Sequence, residues 1–419
     1  MTSFALVDGN SFYCSCERAF DARLAGVPVV VLSNNDGCVI SRTAEAKALG
    51  IAMGEPWHIA SKRPELKGVR WFSSNYALYA DMSRRMFEVL CSFSPDVEPY
   101  SIDEMFLGLD GLRGNREALG AEVRAAVLRI AKIPTCVGIG PTKTIAKLAN
   151  RHAKNTPSLR GVCDLTDPEA RRRLYEELPV AEVWGIGPAS AARLARHGVR
   201  TVEDFLRMPA ALARDELTVT GARIQEELRG TSCLPLSMLA PARKGLAVTR
   251  SFGAPARSRE TLEQAVASFA TRAAEKLREA GMVAGHMSVF MRTSDFAPGT
   301  KRSAQASSSI EPTSDTLAIV SAAIRMARRL WKDGYAYAKA GVMLGDLSLA
   351  AERPADLFPS RDPARFTRLM EAMDVLNARI GRGAVRPAAA GVGAPWKPRQ
   401  GNLSPRYTTD PEGFMRVVA

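Results

Sequence analysis

The sequence has no apolar run long enough to cross a membrane, and it offers few residues that bind zinc. Its histidines share no ligand spacing (His58, His152, His197, His286), and none of its seven cysteines forms a Cys-x-x-Cys pair. A zinc site is therefore not predicted, because such sites need clustered Cys and His ligands. An odd number of scattered cysteines argues against a disulfide framework and is typical of a reduced, cytoplasmic protein.

Positive charge is abundant instead. The chain has 419 residues, which predicts several domains, and 57 Lys and Arg against 44 Asp and Glu, which gives a net charge of +13. This balance predicts a polyanionic partner, most simply nucleic acid, although net charge alone does not distinguish that from ordinary solubility charge. The opening MTSFALVDGNSFY lacks a basic segment and carries Asp8 within its apolar stretch, so it predicts a first strand and not a signal peptide.

The first 150 to 170 residues, roughly the size of one domain, mix strand and helix patterns and predict an α+β layer domain. The segment VPVVVLSNNDGCVIS predicts a β-hairpin, in which Asp36-Gly37 supplies the positive φ of the turn. YSIDEMFLGL, from Tyr100 to Leu109, reads as a strand with two carboxylates in its middle.

A second, basic domain is predicted over residues 244–349 in the element order β-α-β-β-α-β. One of its two helices presents an apolar face at steps of three and four residues: Leu262, Val266, Phe269, Ala273 and Leu277. Beyond it, Asp362-Pro363 predicts the start of a helix that runs to about Arg379. The Ala-, Gly- and Pro-rich sequence after Gly381 predicts an extended or flexible segment.

Three carboxylates lie in apolar, strand-like segments: Asp8, Asp103 and Glu104. Buried carboxylates are costly unless they are neutralised, paired or bound to a metal. Neighbouring residues of a regular strand face opposite sides, so Asp103 and Glu104 can converge only near a strand end, a bulge or a tight hairpin. Three such acids would suit two Mg²⁺ ions in phosphoryl transfer, whereas exposed acids at strand ends are the alternative. Asp8 lying far from Asp103 and Glu104, or lysines filling the space among the three acids, would contradict this prediction.

Aromatic residues follow the first acid in NSFY. Phe12 or Tyr13 could lie beneath a nucleotide sugar and exclude a 2′-hydroxyl by size, and simple core packing is the alternative.

GIGPTKTIAKLANRHAKN resembles a phosphate-binding loop but has Thr142 where that motif needs Gly. Its cations share one helix face, which predicts contact with a triphosphate or a DNA backbone or, alternatively, a solvated surface: Lys143, Lys147, Arg151 and Lys154. In VWGIGPASAARLARHGVRTVEDF, Gly185 and Gly187 precede a helix, then a turn and a second helix. This pattern predicts a helix-hairpin-helix that clamps a DNA backbone, or else a purely structural turn.

These segments together resemble the Y-family of translesion DNA polymerases and, within it, the UmuC group, the catalytic subunits of DNA polymerase V. DGNSFY, SSNYALYADMS, YSIDEMF, GIGPTKTIAKLAN, VWGIG, RSFG, YAKAGVMLGD and LSPRYTT agree with that group in order and spacing over nearly the whole chain. The resemblance implies an α+β multidomain, right-hand polymerase. Its parts are a palm (1–20 and 75–165), fingers (21–74), a thumb with the helix-hairpin-helix (166–230), a linker (231–243), a β-α-β-β-α-β little finger (244–349) and a UmuC-type C-terminal tail (350–419).

The resemblance also implies roles for particular residues. Asp8, Asp103 and Glu104 would be catalytic and, with the Gly9 carbonyl, would hold two Mg²⁺ ions. Tyr13 would exclude ribonucleotides. The residues implied to contact the nucleotide are Phe12, Tyr13, Ser41, Arg42, Lys47 and Lys154, and those implied to contact DNA are Gly185, Gly187 and Lys147. Ala44 stands where many relatives carry a Tyr near the phosphates, so that contact is not expected.

The function implied is error-prone, DNA-directed DNA synthesis past lesions in the SOS response. Its partners would be primer-template DNA, dNTPs, a processed UmuD dimer and the RecA filament, in the cytoplasm at the nucleoid. Leu357-Phe358 would bind a sliding clamp, although Pro354 replaces the expected Gln and weakens that motif. The alternatives are a catalytically inactive adaptor on the same scaffold, or a helix-hairpin-helix repair protein such as a glycosylase.

Overall fold

The computed structural model describes residues 3–111, 114–237, 243–352 and 362–408. These residues form two compact units. The first takes in residues 3–33, 37–111, 114–237 and 402–408, and the second takes in 34–36, 243–352 and 362–401. Leu357 and Phe358 of the predicted clamp motif lie outside the described residues. Across the described ranges, no helix combines the length and the apolar character needed to cross a membrane.

A five-stranded sheet with the order β5-β6-β1-β7-β8 organises the first unit. Its strands are β1 (Phe4–Gly9), β5 (Val97–Pro99), β6 (Glu104–Gly108), β7 (Thr135–Gly140) and β8 (Val162–Asp164). Four helices accompany it: α1 (Phe12–Phe20), α4 (Tyr76–Leu90), α5 (Arg116–Ala131) and α6 (Lys143–Asn155). β1 is central and pairs antiparallel with both β6 and β7.

The two faces of this sheet bury different residues of β1, because side chains alternate along a strand. Ala5 and Val7 join the core beneath α4 and α5, whereas Phe4 and Leu6 face α6. Helix α6 lies very close to β7. A Cβ at Gly138 would stand 2.0 Å from the backbone nitrogen of Asn150, so only glycine fits there.

A smaller sheet with the order β3-β2-β4 lies in the same unit, with β2 (Val29–Leu32), β3 (Val39–Arg42) and β4 (Arg70–Ser73). The short helices α2 (Ala44–Ala48) and α3 (Trp57–Ala60) contribute to its core. The predicted β2–β3 hairpin is confirmed, but its turn differs from the prediction. Asn35 and Asp36 take the positive φ angles, 63° and 52°, whereas Gly37 has φ of −77°.

Four further helices complete the first unit: α7 (Pro168–Glu177), α8 (Pro188–Ala195), α9 (Val202–Arg207) and α10 (Ala210–Arg229). They share an apolar core that includes Leu194, Phe205 and Leu228. Gly185 precedes α8 with φ of 92°, where a Cβ would also meet the Ile224 side chain at 2.9 Å. The predicted order of glycine turn, helix, turn and helix is confirmed.

The second unit has the predicted order β-α-β-β-α-β. Its elements are β9 (Gly245–Ala256), α11 (Arg259–Glu279), β10 (Met282–Thr293), β11 (Ser303–Thr313), α12 (Thr316–Leu330) and β12 (Tyr337–Leu349), in a sheet of order β11-β10-β12-β9. The five apolar residues predicted on one face of α11 are all buried. Helix α13 (Pro363–Ile380) begins at Asp362, whose carboxylate accepts a hydrogen bond from the Ala364 N–H at 3.0 Å.

The segment after Gly381 is packed, so its description as flexible is wrong for part of its length. The Trp396 side chain is buried in the core of the second unit, edge-on to Phe269 at a ring distance of 5.2 Å. Ser404 is buried in the first unit. Composition did not reveal this, because a few apolar and polar anchors hold an otherwise irregular chain.

Candidate active site

Asp8 and Glu104 lie side by side where β1 ends and β6 begins. Asp8 is directly opposite Glu104 in the antiparallel β1–β6 pairing. Asp8 follows Leu6 by two residues, and Glu104 precedes Phe106 by two. Side chains two residues apart in a strand face the same side, and Leu6 and Phe106 face α6, so both carboxylates face α6 as well. The sheet register therefore accounts for their proximity.

Asp103 belongs to the turn between β5 and β6 and not to a strand. The prediction that Asp103 and Glu104 lie in the middle of a strand is wrong, because β6 begins at Glu104. The turn is closed by the Tyr100 and Ser101 N–H groups, which both donate to the Glu104 carbonyl at 3.0 Å. The Asp103 carbonyl accepts from the Gly9 N–H at 2.8 Å, which ties this turn to the end of β1. A tight hairpin thus brings all three acids together where β1 ends and β6 begins.

Lysines of α6 neutralise two of these acids. Lys154 Nζ lies 2.5 Å from Asp8 Oδ2, and Lys147 Nζ lies 3.0 Å from Glu104 Oε2. In the described residues, no group of three or more His, Cys, Asp or Glu side chains is arranged to hold a metal ion. Pairing with ammonium groups therefore makes two of these acids tolerable in this structure.

The other two cations of this helix face are paired as well. Lys143 forms a buried ion pair with Glu98, and Arg151 pairs with Glu182. A solvated face, the alternative considered for this helix, is therefore wrong for Lys143. Each of the four cations predicted from spacing has a carboxylate partner.

Burial dominates the electrostatics of Asp8. Loss of water raises the pKa of its carboxyl group from 3.8 to about 6, although the adjacent Lys154 ammonium opposes the shift. The negative charges of Glu104 and Asp103 raise the pKa further. A carboxyl group with this balance of forces would gain from any additional positive charge beside it.

A cavity of about 540 Å³ opens beside Asp8. Its walls are Asp8, Gly9, Ser11, Phe12, Tyr13, Ile40, Ser41, Arg42, Lys47, Met53, Asp103 and Lys154. The structure thus brings together every residue implied to contact the nucleotide with two of the three acids. Sequence reasoning missed Ser11, Ile40 and Met53. Ser11 was within the NSFY motif, whereas nothing in the sequence distinguished Met53.

The two aromatic residues of NSFY have different surroundings. Phe12 is buried in the core and lies against Gly9, where an added Cβ would meet its ring at 2.8 Å. Tyr13 is partly exposed to the cavity and stacks on Tyr79, with ring centres 4.5 Å apart and planes 20° apart. Core packing therefore explains Phe12, whereas Tyr13 is available to a ligand.

Hydrogen bonds join the start of α1 to β3 across the cavity floor. The Ser11 hydroxyl donates to the Arg42 carbonyl at 2.7 Å, and the Ser41 hydroxyl accepts from the Cys14 N–H at 3.4 Å. The Arg42 guanidinium donates to the Ile51 carbonyl, and its buried Nε has no partner within the described part of the chain. These contacts hold Ser41 and Arg42 at the cavity wall.

Of the residues implied to contact DNA, Lys147 lies over two aromatic rings. Its Nζ is 4.2 Å from the centre of the Tyr100 ring and 4.9 Å from that of Trp184. Trp184 immediately precedes Gly185, so Lys147 lies between Glu104 and the turn at Gly185. Gly187 is the N-cap residue of α8, and a Cβ there would meet no atom within 4 Å.

Comparison with known proteins assigns the family. Residues 7–151 match the model of the impB/mucB/samB family, and residues 243–357 match that family's C-terminal domain. Residues 367–417 match a domain of unknown function, DUF4113. The chain is 44% identical to Protein UmuC of Salmonella typhimurium over 99% of this chain and all of that protein.

The chain belongs to the impB/mucB/samB family.

More distant relatives agree with this assignment. The chain is 28% identical to DNA polymerase IV of Moorella thermoacetica over 94% of its length and 97% of that protein. It covers 99% of a solved Y-family DNA polymerase chimera with 83% of its own length, at a TM-score of 0.68 and 20% identity. The same coverage applies to an insertion ternary complex of Dbh DNA polymerase, with a TM-score of 0.56.

These relatives confirm the Y-family assignment, the UmuC resemblance and the fold class predicted from the sequence. The family consists of translesion DNA polymerases, and DNA-directed DNA polymerase activity is the enzyme function that the sequence predicted. Y-family polymerases are metal-dependent. Asp8, Asp103, Glu104 and the Gly9 carbonyl are hard oxygen donors, the type that divalent cations such as Mg²⁺ prefer. Lys154 and Lys147 lie beside two of the acids, which is the arrangement expected to count against a metal site, so ions can bind there only if both ammonium groups move away.

Proposed function

We propose that this chain is an error-prone DNA polymerase that bypasses lesions in the SOS response, using primer-template DNA and dNTPs. The supporting observation is the cavity that Asp8 and Asp103 share with the predicted nucleotide contacts. Acidic and basic side chains meet there, as a reaction between a cation-bound hydroxyl group and a triphosphate requires.

Asp8, Asp103, Glu104 and the Gly9 carbonyl would hold two Mg²⁺ ions. When bound, such ions supply positive charge to the attacking 3′-hydroxyl oxygen and to the departing pyrophosphate. Lys154 and Lys147 must then leave the carboxylates of Asp8 and Glu104. Lys154 already lines the cavity, so its ammonium group needs only to turn from a carboxylate to a phosphate.

The remaining cavity residues orient the nucleotide. Ser41, Arg42 and Lys47 offer one hydroxyl group and two cations to the triphosphate on the β3–α2 side. Tyr13, in α1, lines the same cavity, and its ring would meet a 2′-hydroxyl and exclude ribonucleotides by size. Positioning and charge stabilisation, without a covalent intermediate on the protein, suffice for nucleotidyl transfer.

The domain layout extends the proposal beyond the cavity. We assign residues 1–20 and 75–165 to the palm, 21–74 to the fingers, 166–230 to the thumb and 244–349 to the little finger. Residues 231–243 are the linker, and 350–419 form the tail. Gly185, Gly187 and Lys147 would contact the DNA backbone, because backbone N–H groups at a helix start and a cation both favour phosphate.

The partner proposals rest on the UmuC relationship. They comprise a processed UmuD dimer, the RecA filament and a sliding clamp bound through Leu357 and Phe358, with the protein in the cytoplasm at the nucleoid. If the double variant Leu357→Ala/Phe358→Ala leaves clamp-dependent synthesis unchanged, the clamp proposal is wrong.

One observation favours an alternative. The lysines beside Asp8 and Glu104 would also suit an inactive adaptor, in which these ion pairs are permanent. Primer extension over an abasic template with Mg²⁺, with and without a UmuD-like dimer and RecA, separates the two. We expect extension by the native chain and a loss of about a hundredfold or more in Asp103→Ala. Equal, background-level extension by both proteins would support the adaptor.

A further inference from the structure

Residues 402–407, close to the end of the described chain, are built into the first unit. The Ser73 N–H donates to the Asn402 carbonyl at 2.9 Å, and the Asn402 N–H donates to the Ser73 hydroxyl at 3.1 Å. Farther along, the Tyr407 ring stacks on Phe20 at 4.8 Å with nearly parallel planes. The segment therefore bridges the end of β4 and the end of α1.

Ser404, at the centre of this segment, contacts a buried carboxyl group. Its hydroxyl donates to Glu17 Oε1 at 3.1 Å, and the same oxygen accepts the Tyr79 hydroxyl at 2.7 Å. Glu17 is only 2% exposed and has no ion pair in the described residues. Burial raises the pKa of its carboxyl group to about 7, so these two hydroxyl groups are its main stabilising contacts.

Tyr79 connects this carboxyl group to the cavity. Its side chain is fully buried, and its ring stacks on the Tyr13 ring. A continuous series of contacts thus runs from Ser404 through Glu17 and Tyr79 to Tyr13. Each link is a hydrogen bond or a ring stack, and three of the four side chains are buried.

We propose that Ser404 is a positioning residue for ribonucleotide exclusion, which fixes the Tyr13 ring through Glu17 and Tyr79. The inference rests on the proposed function, in which Tyr13 excludes the 2′-hydroxyl. It gives a role to the end of the DUF4113 segment, residues 367–417, in the nucleotide site.

The physical reason is that the Tyr13 ring can exclude a 2′-hydroxyl by size only if the ring stays in a fixed position. A 2′-hydroxyl protrudes by little more than one atom, and displacements of about 1 Å are enough to change rates by large factors. The Tyr13 ring is partly exposed, so its position depends on the surface behind it. Hydrogen bonds behind a functional side chain fix its rotamer in this way.

The test measures the ratio of ribonucleotide to deoxyribonucleotide incorporation efficiency in the full chain. Tyr79→Phe keeps the ring stack but removes the hydroxyl group that anchors it. Ser404→Ala removes one hydroxyl group and, with it, the hydrogen bond that this hydroxyl accepts from Asn75 Nδ2 at 2.9 Å. Asn75 Nδ2 keeps its bonds to the Ser404 and Pro405 carbonyls at 3.2 and 3.3 Å. We expect each variant to raise the ratio by about three- to tenfold.

The double variant Tyr79→Phe/Ser404→Ala tests whether the contacts form one series. Residues that act through a shared partner are not additive. We therefore expect the double variant to raise the ratio by less than the product of the two single effects. A full product would show independent action and contradict the series.

Tyr175→Phe is the matched control, because it also removes a buried tyrosine hydroxyl, one that donates to the Leu228 carbonyl at 3.2 Å. Tyr175 contacts neither Tyr13 nor Glu17 by hydrogen bond or ring stack. We expect a similar loss of thermal stability with an unchanged incorporation ratio. A rise in this control equal to that of Tyr79→Phe would assign the effect to general loosening and overturn the inference.

Tyr13→Ala separates the inference from the function on which it rests. If Tyr13→Ala raises the ratio but Ser404→Ala and Tyr79→Phe leave it at the native value, Tyr13 excludes ribonucleotides without support from Ser404, and the inference is wrong. If Tyr13→Ala itself leaves the ratio unchanged, the exclusion role proposed for Tyr13 is wrong, and the inference is overturned with it.

Discussion

Helix α6 carries a lysine–carboxylate pair near each end, and the two pairs have opposite surroundings. Near its start, Lys143 and Glu98 are 5% and 7% exposed, and Lys143 also donates to the Pro235 carbonyl at 2.8 Å. Near its end, the Lys154 side chain is 33% exposed and pairs with Asp8 at the wall of the cavity. A lysine–carboxylate pair is therefore buried near the start of α6 and accessible to solvent near its end.

This difference separates a structural pair from an exchangeable one. A buried pair with additional hydrogen bonds is costly to break, because the remaining charge has no water to solvate it. A pair beside a cavity can release its lysine, because water or a ligand can take the lysine's place. We therefore expect Glu98 to matter for stability and Asp8 for chemistry.

The largest effect is expected at Asp8. Asp8→Asn keeps the shape of the side chain but removes the charge that a cation would need, so primer extension should fall about a hundredfold or more. The free energy of unfolding should stay the same or rise slightly, because a carboxyl group with a pKa raised by burial is itself unfavourable when ionised. Urea unfolding and primer extension measure the two quantities. A large loss of stability would show that Asp8, like Glu98, belongs to a structural ion pair, and would contradict the difference proposed between the two pairs.

The second largest effect is expected at the buried pair of Lys143 and Glu98. Glu98→Gln leaves Lys143 buried without a counter-charge, so the free energy of unfolding should fall by about 3–5 kcal/mol. Primer extension per folded molecule should be unchanged, since neither residue lines the cavity. Glu169→Gln, on an exposed pair with Arg172, is the control and should change the free energy of unfolding far less, because water solvates both groups. Equal costs for the two variants would contradict the prediction.

Glu17 is a third buried carboxyl group, and its partners are two hydroxyl groups and not a lysine. Its folded pKa of about 7 exceeds the ordinary value of 4.5, so its contribution to stability is complete below pH 4.5 and is lost as the pH rises to about 7. Glu17→Gln removes this dependence. The variant should therefore gain up to roughly 3 kcal/mol relative to the native chain between pH 4.5 and pH 8. Urea unfolding across that interval measures it, and parallel profiles would contradict it.

The smallest effect is expected at Lys154. Lys154→Ala should raise the KM for dNTPs about tenfold, because one cation is lost from the triphosphate side of the cavity. The kcat value should change less, since the three acids remain. Arg151→Ala, on the same helix but outside the cavity lining, is the control and should leave KM unchanged. Steady-state kinetics decide, and similar KM values in both variants would mean that Lys154 does not contact the nucleotide.

Local patterns accounted for much of the fold. The apolar face of α11, the cap at Asp362 and the hairpin formed by β2 and β3 depend on residues near one another in the chain, so periodicity and turn chemistry revealed them. The acids at Asp8 and Asp103 stood out because a charge inside an apolar segment needs a partner. The proposal of nucleotide contacts required family resemblance, because Ser41 and Lys47 have no local pattern that distinguishes them.

The sequence by itself determined the types of element, their order and the presence of acids and cations suited to nucleotidyl transfer, because these depend on neighbours within a few residues. Only the tertiary structure decided which charges meet. It paired Lys154 with Asp8 and Lys147 with Glu104, and it placed Ser404 against Glu17 across more than 380 residues of chain. The physical reason is that an ion pair or a buried hydrogen bond depends on distance and burial, and both are set by how the sheets and helices pack.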